Sequence, residues 1–123
     1  MNNPFRAESR LNAHAFILDL YGDLSNQSEE YLIGMKDWEL GLQDGRRFLI
    51  LNFVHVDYIN SMGIAVLIRI VRSLAKAGCQ TFAFGVTAHY QKLFRMVGLT
   101  EFMAVYPDEY SIGQRIEALQ DNR

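Results

Sequence analysis

The chain has one cysteine, Cys79, among 123 residues. No internal disulfide can form, and a lone thiol suits a reducing cytosol. Apolar runs are all far too short to cross a bilayer. The N-terminus, Met1-Asn2-Asn3-Pro4-Phe5-Arg6, lacks the long apolar region of a secretory signal, so a soluble, cytoplasmic domain is expected. Neither charge sign is in clear excess: 12 Lys+Arg stand against 14 Asp+Glu, a net charge of −2. Only Arg46-Arg47 are adjacent basic residues. A nucleic-acid partner is therefore not expected, nor is a membrane.

Chemistry-bearing patterns are equally sparse. His14, His55 and His89 share no metal-ligand spacing. Gly41, Gly45, Gly78 and Gly85 match no nucleotide-binding loop, so no cofactor or metal is expected. No Gly-x-Ser-x-Gly turn and no Ser/His/Asp arrangement is present, which argues against an intrinsic enzyme. Cys79 sits at the start of a short apolar strand and reads as a packing residue.

What the chain does have is core. Half its residues are hydrophobic, with eight Phe, six Tyr and one Trp. That suffices for one domain over 1–123 and not for two. Residues 1–13 read as an irregular lead or a short edge strand. Ala15 to Tyr21 reads as a strand closed by Gly22-Asp23. Ser25 to Ser28 offers helix caps, and Tyr31, Met35, Trp38 and Leu42 then recur at helical spacing. A strand follows from Arg46 to Val54, then a helix from about Ser61 to Ala77 that Gly78 ends. Cys79 to Phe84 is a strand, Thr87 caps a helix that Gly98 ends, and Phe102 to Tyr106 is a last strand. Pro107-Asp108 starts a final helix bearing Ile112, Ile116 and Leu119. Strand and helix alternate throughout, the pattern of an α/β fold with a largely parallel sheet.

The most informative run is Ile59-Asn60-Ser61-Met62-Gly63. It sets a serine where a buried strand turns into a buried helix, a corner at which α/β folds concentrate ligands and modifications. A phosphate there would meet free N–H groups and the positive end of a helix. On the local pattern alone, Ser61 could equally be an unmodified helix cap.

In the helix that follows, Ile64, Leu67, Ile68, Val71, Leu74 and Ala75 form one broad face, with Arg69, Arg72, Ser73 and Lys76 opposite. Met62, Val66 and Ile70 recur beside the polar stripe. They form either a partly exposed partner-binding ridge or a face that another helix of the domain covers. Asp57, after the strand, resembles a receiver phosphoacceptor only superficially. Asp19 and Asp23 are not adjacent, and Pro107 rather than a lysine follows Tyr106, so a solvated turn residue is the better reading.

The stretch Phe48 to Gly63 resembles the signature of STAS domains, the fold of bacterial anti-sigma factor antagonists. The later segments Ala77-Gly78, Phe84-Gly85-Val86, Leu93 to Leu99 and Val105 to Glu109 are similar to that family too. The likeness spans roughly residues 15 to 120. It implies a single domain with a mixed, mostly parallel sheet of four to five strands and about four helices packed mainly on one side. It further implies an antagonist that sequesters an anti-sigma factor serine kinase, a histidine-kinase-like ATPase, while Ser61 is unphosphorylated. The kinase phosphorylates Ser61 and releases it, and a PPM-type serine phosphatase reverses the step.

In the family's Asp-Ser-Ser/Thr-Gly turn, this chain has Asn60 for the acid and Met62 for the second hydroxyl. Asn60 retains the capping capacity of an Asp, and Met62 leaves one modifiable hydroxyl. Asn60, Met62 and Gly63 complete the switch turn. Asp57, Tyr58, Met62, Val66, Arg69 and Ile70 are the expected partner-binding residues of a monomer or weak dimer. A STAS scaffold or transport-associated module without a phosphoswitch, or a small-ligand or nucleotide sensor, are the alternative functions.

Overall fold

The computed structural model describes residues 3–121. Five strands line up in chain order: β1 (Arg6–Leu11), β2 (Ala15–Leu24), β3 (Phe48–Ile59), β4 (Gln80–Phe84) and β5 (Met103–Tyr106). β1 runs antiparallel to β2 and the other neighbours are parallel. Four helices follow the strands: α1 (Asn26–Gly34), α2 (Ser61–Lys76), α3 (Ala88–Met96) and α4 (Glu109–Asp121). The expected lead over residues 1–13 contains the edge strand β1. Residues 1–2 and 122–123 of the expected single domain lie outside the described residues.

Strand order dictates where the helices go. Each parallel neighbour is reached by a right-handed crossover, and stepping the same way each time puts α1, α2 and α3 on one face. There Leu18, Leu20, Leu49, Leu51 and Phe53 of the sheet cluster with Leu32, Leu67, Val71, Leu74 and Phe94 of the helices. The opposite face, with Ile17, Phe48, Ile50, Phe82 and Phe84, is left to Ile112 and Ile116 of α4. The run Phe48-Leu49-Ile50-Leu51 is continuous rather than alternating because both faces of β3 are covered.

Two expectations needed revision. The helical spacing through Trp38 and Leu42 does not form one helix: α1 stops at Gly34, and Trp38 starts a short 3-10 turn (Trp38–Leu40). A helix end frees carbonyls. The buried Trp38 folds back and its indole Nε1–H donates to the Leu32 carbonyl at 2.8 Å. The strand expected to end at Val54 runs on to Ile59, so Asp57 sits on a strand and not in a turn. β3 stays paired with β2 as far as Leu24↔Ile59, although its pairing with β4 stops at Asn52↔Phe84. The end of α2 is as expected. Cys79 N–H donates to the Leu74 carbonyl at 2.8 Å and Gly78 N–H to that of Ala75 at 3.1 Å, with Gly78 at φ +83°.

A forked ion pair ties the edge strand to the rest. Arg10 donates from Nε to Asp19 Oδ2 at 2.7 Å and from Nη2 to Oδ1 at 2.9 Å. Asn52 Nδ2 donates to the same Oδ1 at 2.9 Å, and Arg10 also reaches Glu109 Oε1 at 2.8 Å. β1, β2, β3 and α4 are thereby joined through the Arg10–Asp19 pair. The Arg10 hydrogen bonds, with a smaller contribution from Asn52, hold the Asp19 carboxyl below its usual value against the opposing effect of burial.

Because Asp19 titrates lower in the folded chain than in the unfolded one, its stabilisation is complete above about pH 4 and fades as pH falls through the folded value. Asp19→Asn should therefore lose about 1–3 kcal/mol at pH 7 and flatten the acid limb of a denaturation-against-pH profile. An acid limb unchanged in the variant would remove Asp19 as its source. Gly63→Ala should be costly for a steric reason. A Cβ there would lie 2.4 Å from the Leu24 carbonyl oxygen and 2.7 Å from its carbon, and neither backbone atom can swing away. A loss of about 1–3 kcal/mol in chemical denaturation is expected, and an unchanged midpoint would show that the junction yields.

Candidate functional site

The corner after β3 is built by three backbone-level contacts. Asn60 is extended (φ −99°, ψ −177°) and its Oδ1 accepts the Gly63 N–H at 2.9 Å, which makes it the N-cap of α2. Asn60 N–H donates to the Leu24 carbonyl at 3.0 Å, bolting the turn to the end of β2. Ile59 N–H, which has no strand partner on the β4 side, donates to the Tyr90 hydroxyl of α3 at 3.0 Å.

Ser61 is thus the first residue of α2 and not its cap. The unmodified-cap alternative is removed, because Asn60 holds the cap. Ser61 is exposed, and among the described residues its hydroxyl is engaged in no hydrogen bond with a histidine or carboxylate. The first turn of α2 carries no acidic side chain, and the N–H groups of Ser61 and Met62 are helix-start donors without intrahelical acceptors. An anion on the Ser61 oxygen would therefore meet favourable dipoles and no competing carboxylate in that turn.

Sequence reasoning named eight residues besides Ser61, and the fold treats them unequally. Met62 is 43% exposed beside Ser61, and Asp57, Tyr58 and Arg69 are also exposed. Val66 and Ile70 are each 2% exposed, so the proposed ridge Met62-Val66-Ile70 does not exist as a surface. α1 and the Trp38 turn pack against this side of α2, and a helical wheel cannot say which neighbour will cover a stripe. Gly63 is buried too. Its missing side chain makes room for Leu24 and gives no access to a partner.

Two contributors were missed. Leu24 falls between the Gly22-Asp23 turn and the caps from Ser25, with no role expected of it, although a glycine beside a strand-to-helix corner is a general sign of close backbone approach. Tyr90 falls in the helix expected after Thr87, and nothing local marks its hydroxyl as the partner of a distant strand.

No helix among the described residues is long and apolar enough to cross a membrane. Among those residues, no three His, Cys, Asp or Glu side chains gather as metal ligands. What the corner offers is a solvent-facing hydroxyl on a fixed turn.

Comparison with known proteins agrees with this architecture. SpoIIAA, an anti-sigma factor antagonist solved in its unphosphorylated form, superposes with a TM-score of 0.70 at 21% identity, covering 94% of this chain and 97% of its own. The phosphorylated form of SpoIIAA, the Bacillus cell fate determinant, gives 0.67 at 20% identity over 90% and 98%. A serine-to-glutamate variant of RsbS from Moorella thermoacetica gives 0.73 at 15% identity over 94% and 98%. At these identities the likeness is one of fold. No curated protein sequence matches significantly. The STAS domain profile matches residues 7–112, which takes in four of the five strands whole, all but the first residue of β1, and the Asn60-Ser61 corner: the chain belongs to the STAS domain family.

Proposed function

We propose that this domain is an anti-sigma factor antagonist switched by phosphorylation of Ser61. The carrying observation is that Ser61 is exposed at the first position of α2 while Asn60 holds the cap. Modification therefore disturbs no hydrogen bond on which the fold depends.

The unmodified domain binds a serine kinase of the histidine-kinase-like ATPase class that also acts as the anti-sigma factor. Within that complex the Ser61 oxygen attacks the γ-phosphorus of ATP. The Oγ–P bond forms, the bond to the ADP oxygen breaks, and a kinase base takes the hydroxyl proton. The chain is the substrate in this step. A PPM-type serine phosphatase restores the hydroxyl. Phosphate adds about −1.5 to −2 charges at pH 7. The N–H groups at the start of α2 accommodate it within the domain. A partner seated over Ser61, Met62 and Tyr58 would have to bury it, and a loss of only 1.4 kcal/mol is a tenfold loss of affinity. Support also comes from SpoIIAA, which has been solved in both phosphorylation states.

Incubation with ATP and the cognate kinase should add one phosphate by intact mass, absent in Ser61→Ala. Efficient phosphorylation of the Ala variant would remove Ser61 as the site. Ser61→Asp should weaken kinase binding about tenfold or more while leaving the denaturation midpoint near that of the parent. Undiminished binding by Ser61→Asp would instead favour an interaction module without a phosphoswitch.

A further inference from the structure

Charge is segregated along this chain in a way its net value hides. All fourteen Asp and Glu lie outside residues 58–100, whereas five of the twelve Lys and Arg (Arg69, Arg72, Lys76, Lys92 and Arg95) lie within them. That segment supplies α2 and α3.

On α2 the cations share one face, with Asp37 and Glu39 of the Trp38 turn lining a pocket beside Arg69. At about 100° per residue, Ser61, Met62, Ala65, Arg69, Arg72 and Lys76 fall in one outward sector, and all six are exposed. The sector is small or apolar next to Ser61 and cationic from Arg69 onward. The ion pairs of the described residues use Arg6, Arg10 and Arg46, and none of the α2 cations. Arg72 instead lies over the Phe102 ring, 6.0 Å from its centroid.

A charged helix face is ordinarily just solvated, with both signs interspersed. Here Arg69 and Arg72 are spaced i, i+3, and Arg72 and Lys76 i, i+4, both spacings at which like charges destabilise a helix. Only Lys76 sits in the last turn, where the helix dipole favours a cation.

We propose that this outward face of α2 docks an acidic protein surface. Met62 and Ala65 give close apolar contact beside the serine, and Arg69, Arg72 and Lys76 attract and orient the partner through complementary charge. Resting on the proposed function, the occupant is the kinase itself, whose contacting surface is then acidic. A phosphate on Ser61 would stand on the same face and oppose the same acids, so repulsion adds to the burial penalty. A protein fits better than a nucleic acid or an anionic membrane. The cations are three spaced positions continuous with an apolar patch, on a chain of net charge −2 with Asp57 exposed nearby.

The test is the triple variant Arg69→Gln/Arg72→Gln/Lys76→Gln, with its fold checked by circular dichroism. Kinase affinity should fall about tenfold or more and lose most of its dependence on salt. A labelled poly-glutamate peptide should bind the parent and not the variant. Unchanged kinase affinity with a flat salt response in the parent would overturn the inference, while phosphorylation of Ser61 by that kinase would leave the switch standing. Conversely, poly-glutamate binding by a chain that no kinase phosphorylates would sink the switch and keep the docking face. Preference of the parent for duplex DNA or phosphatidylserine vesicles over poly-glutamate would overturn the assignment to a protein partner.

Discussion

The contact of the Leu24 carbonyl with the first turn of α2 sets the geometry of everything around Ser61. That one oxygen accepts the Asn60 N–H and lies where a side chain on residue 63 would go. Only glycine lets the helix begin this close to the end of β2. Once it does, Asn60 is held in extended conformation with its amide oxygen over the Gly63 N–H, and Ser61 has no choice but to point outward. The exposure of the serine is thus the consequence of a packing contact two residues away.

The same corner shows how a STAS domain tolerates the loss of an acid before its serine. An aspartate would bring a negative charge to the start of α2, next to any phosphate. The neutral Asn60 supplies the same cap with no charge, so the positive end of the α2 dipole is left uncompensated there. Stability is provided at a distance from Ser61, by two apolar layers either side of the sheet and by the Arg10–Asp19 pair that gathers β1, β2, β3 and α4. The exposed serine and the cohesion of the fold therefore draw on different interactions.

The elements legible in the sequence were those fixed by local signals. The strand at Phe48 announced itself by an apolar run, α2 by its broad apolar face and its Gly78 stop, and the switch corner by Asn60-Ser61-Met62-Gly63. What was not legible depended on contacts between distant residues. Trp38 has helical spacing from Tyr31 and Met35, yet its indole hydrogen bond to Leu32 holds it in a separate turn. Val66 and Ile70 lie at the margin of the apolar face, and only the packing of α1 and the Trp38 turn decides that they are buried. Asp57 reads as a turn residue because polar residues break the apolar run, whereas pairing of Val56 and Tyr58 with β2 on either side keeps it in a strand.

The overhang of β3 beyond its last pair with β4 has a consequence for self-assembly. From Phe53 to Ile59 the strand is bonded on one side only, the kind of open backbone edge that recruits strands from other molecules. Two features obstruct that recruitment. Gly85 turns with φ +75°, bringing its backbone against Val54 at the start of the overhang, and the Tyr90 hydroxyl takes up the Ile59 N–H at its end. A hydroxyl and a glycine thus stand where a neighbouring strand would otherwise be, one at each end of the unpaired edge.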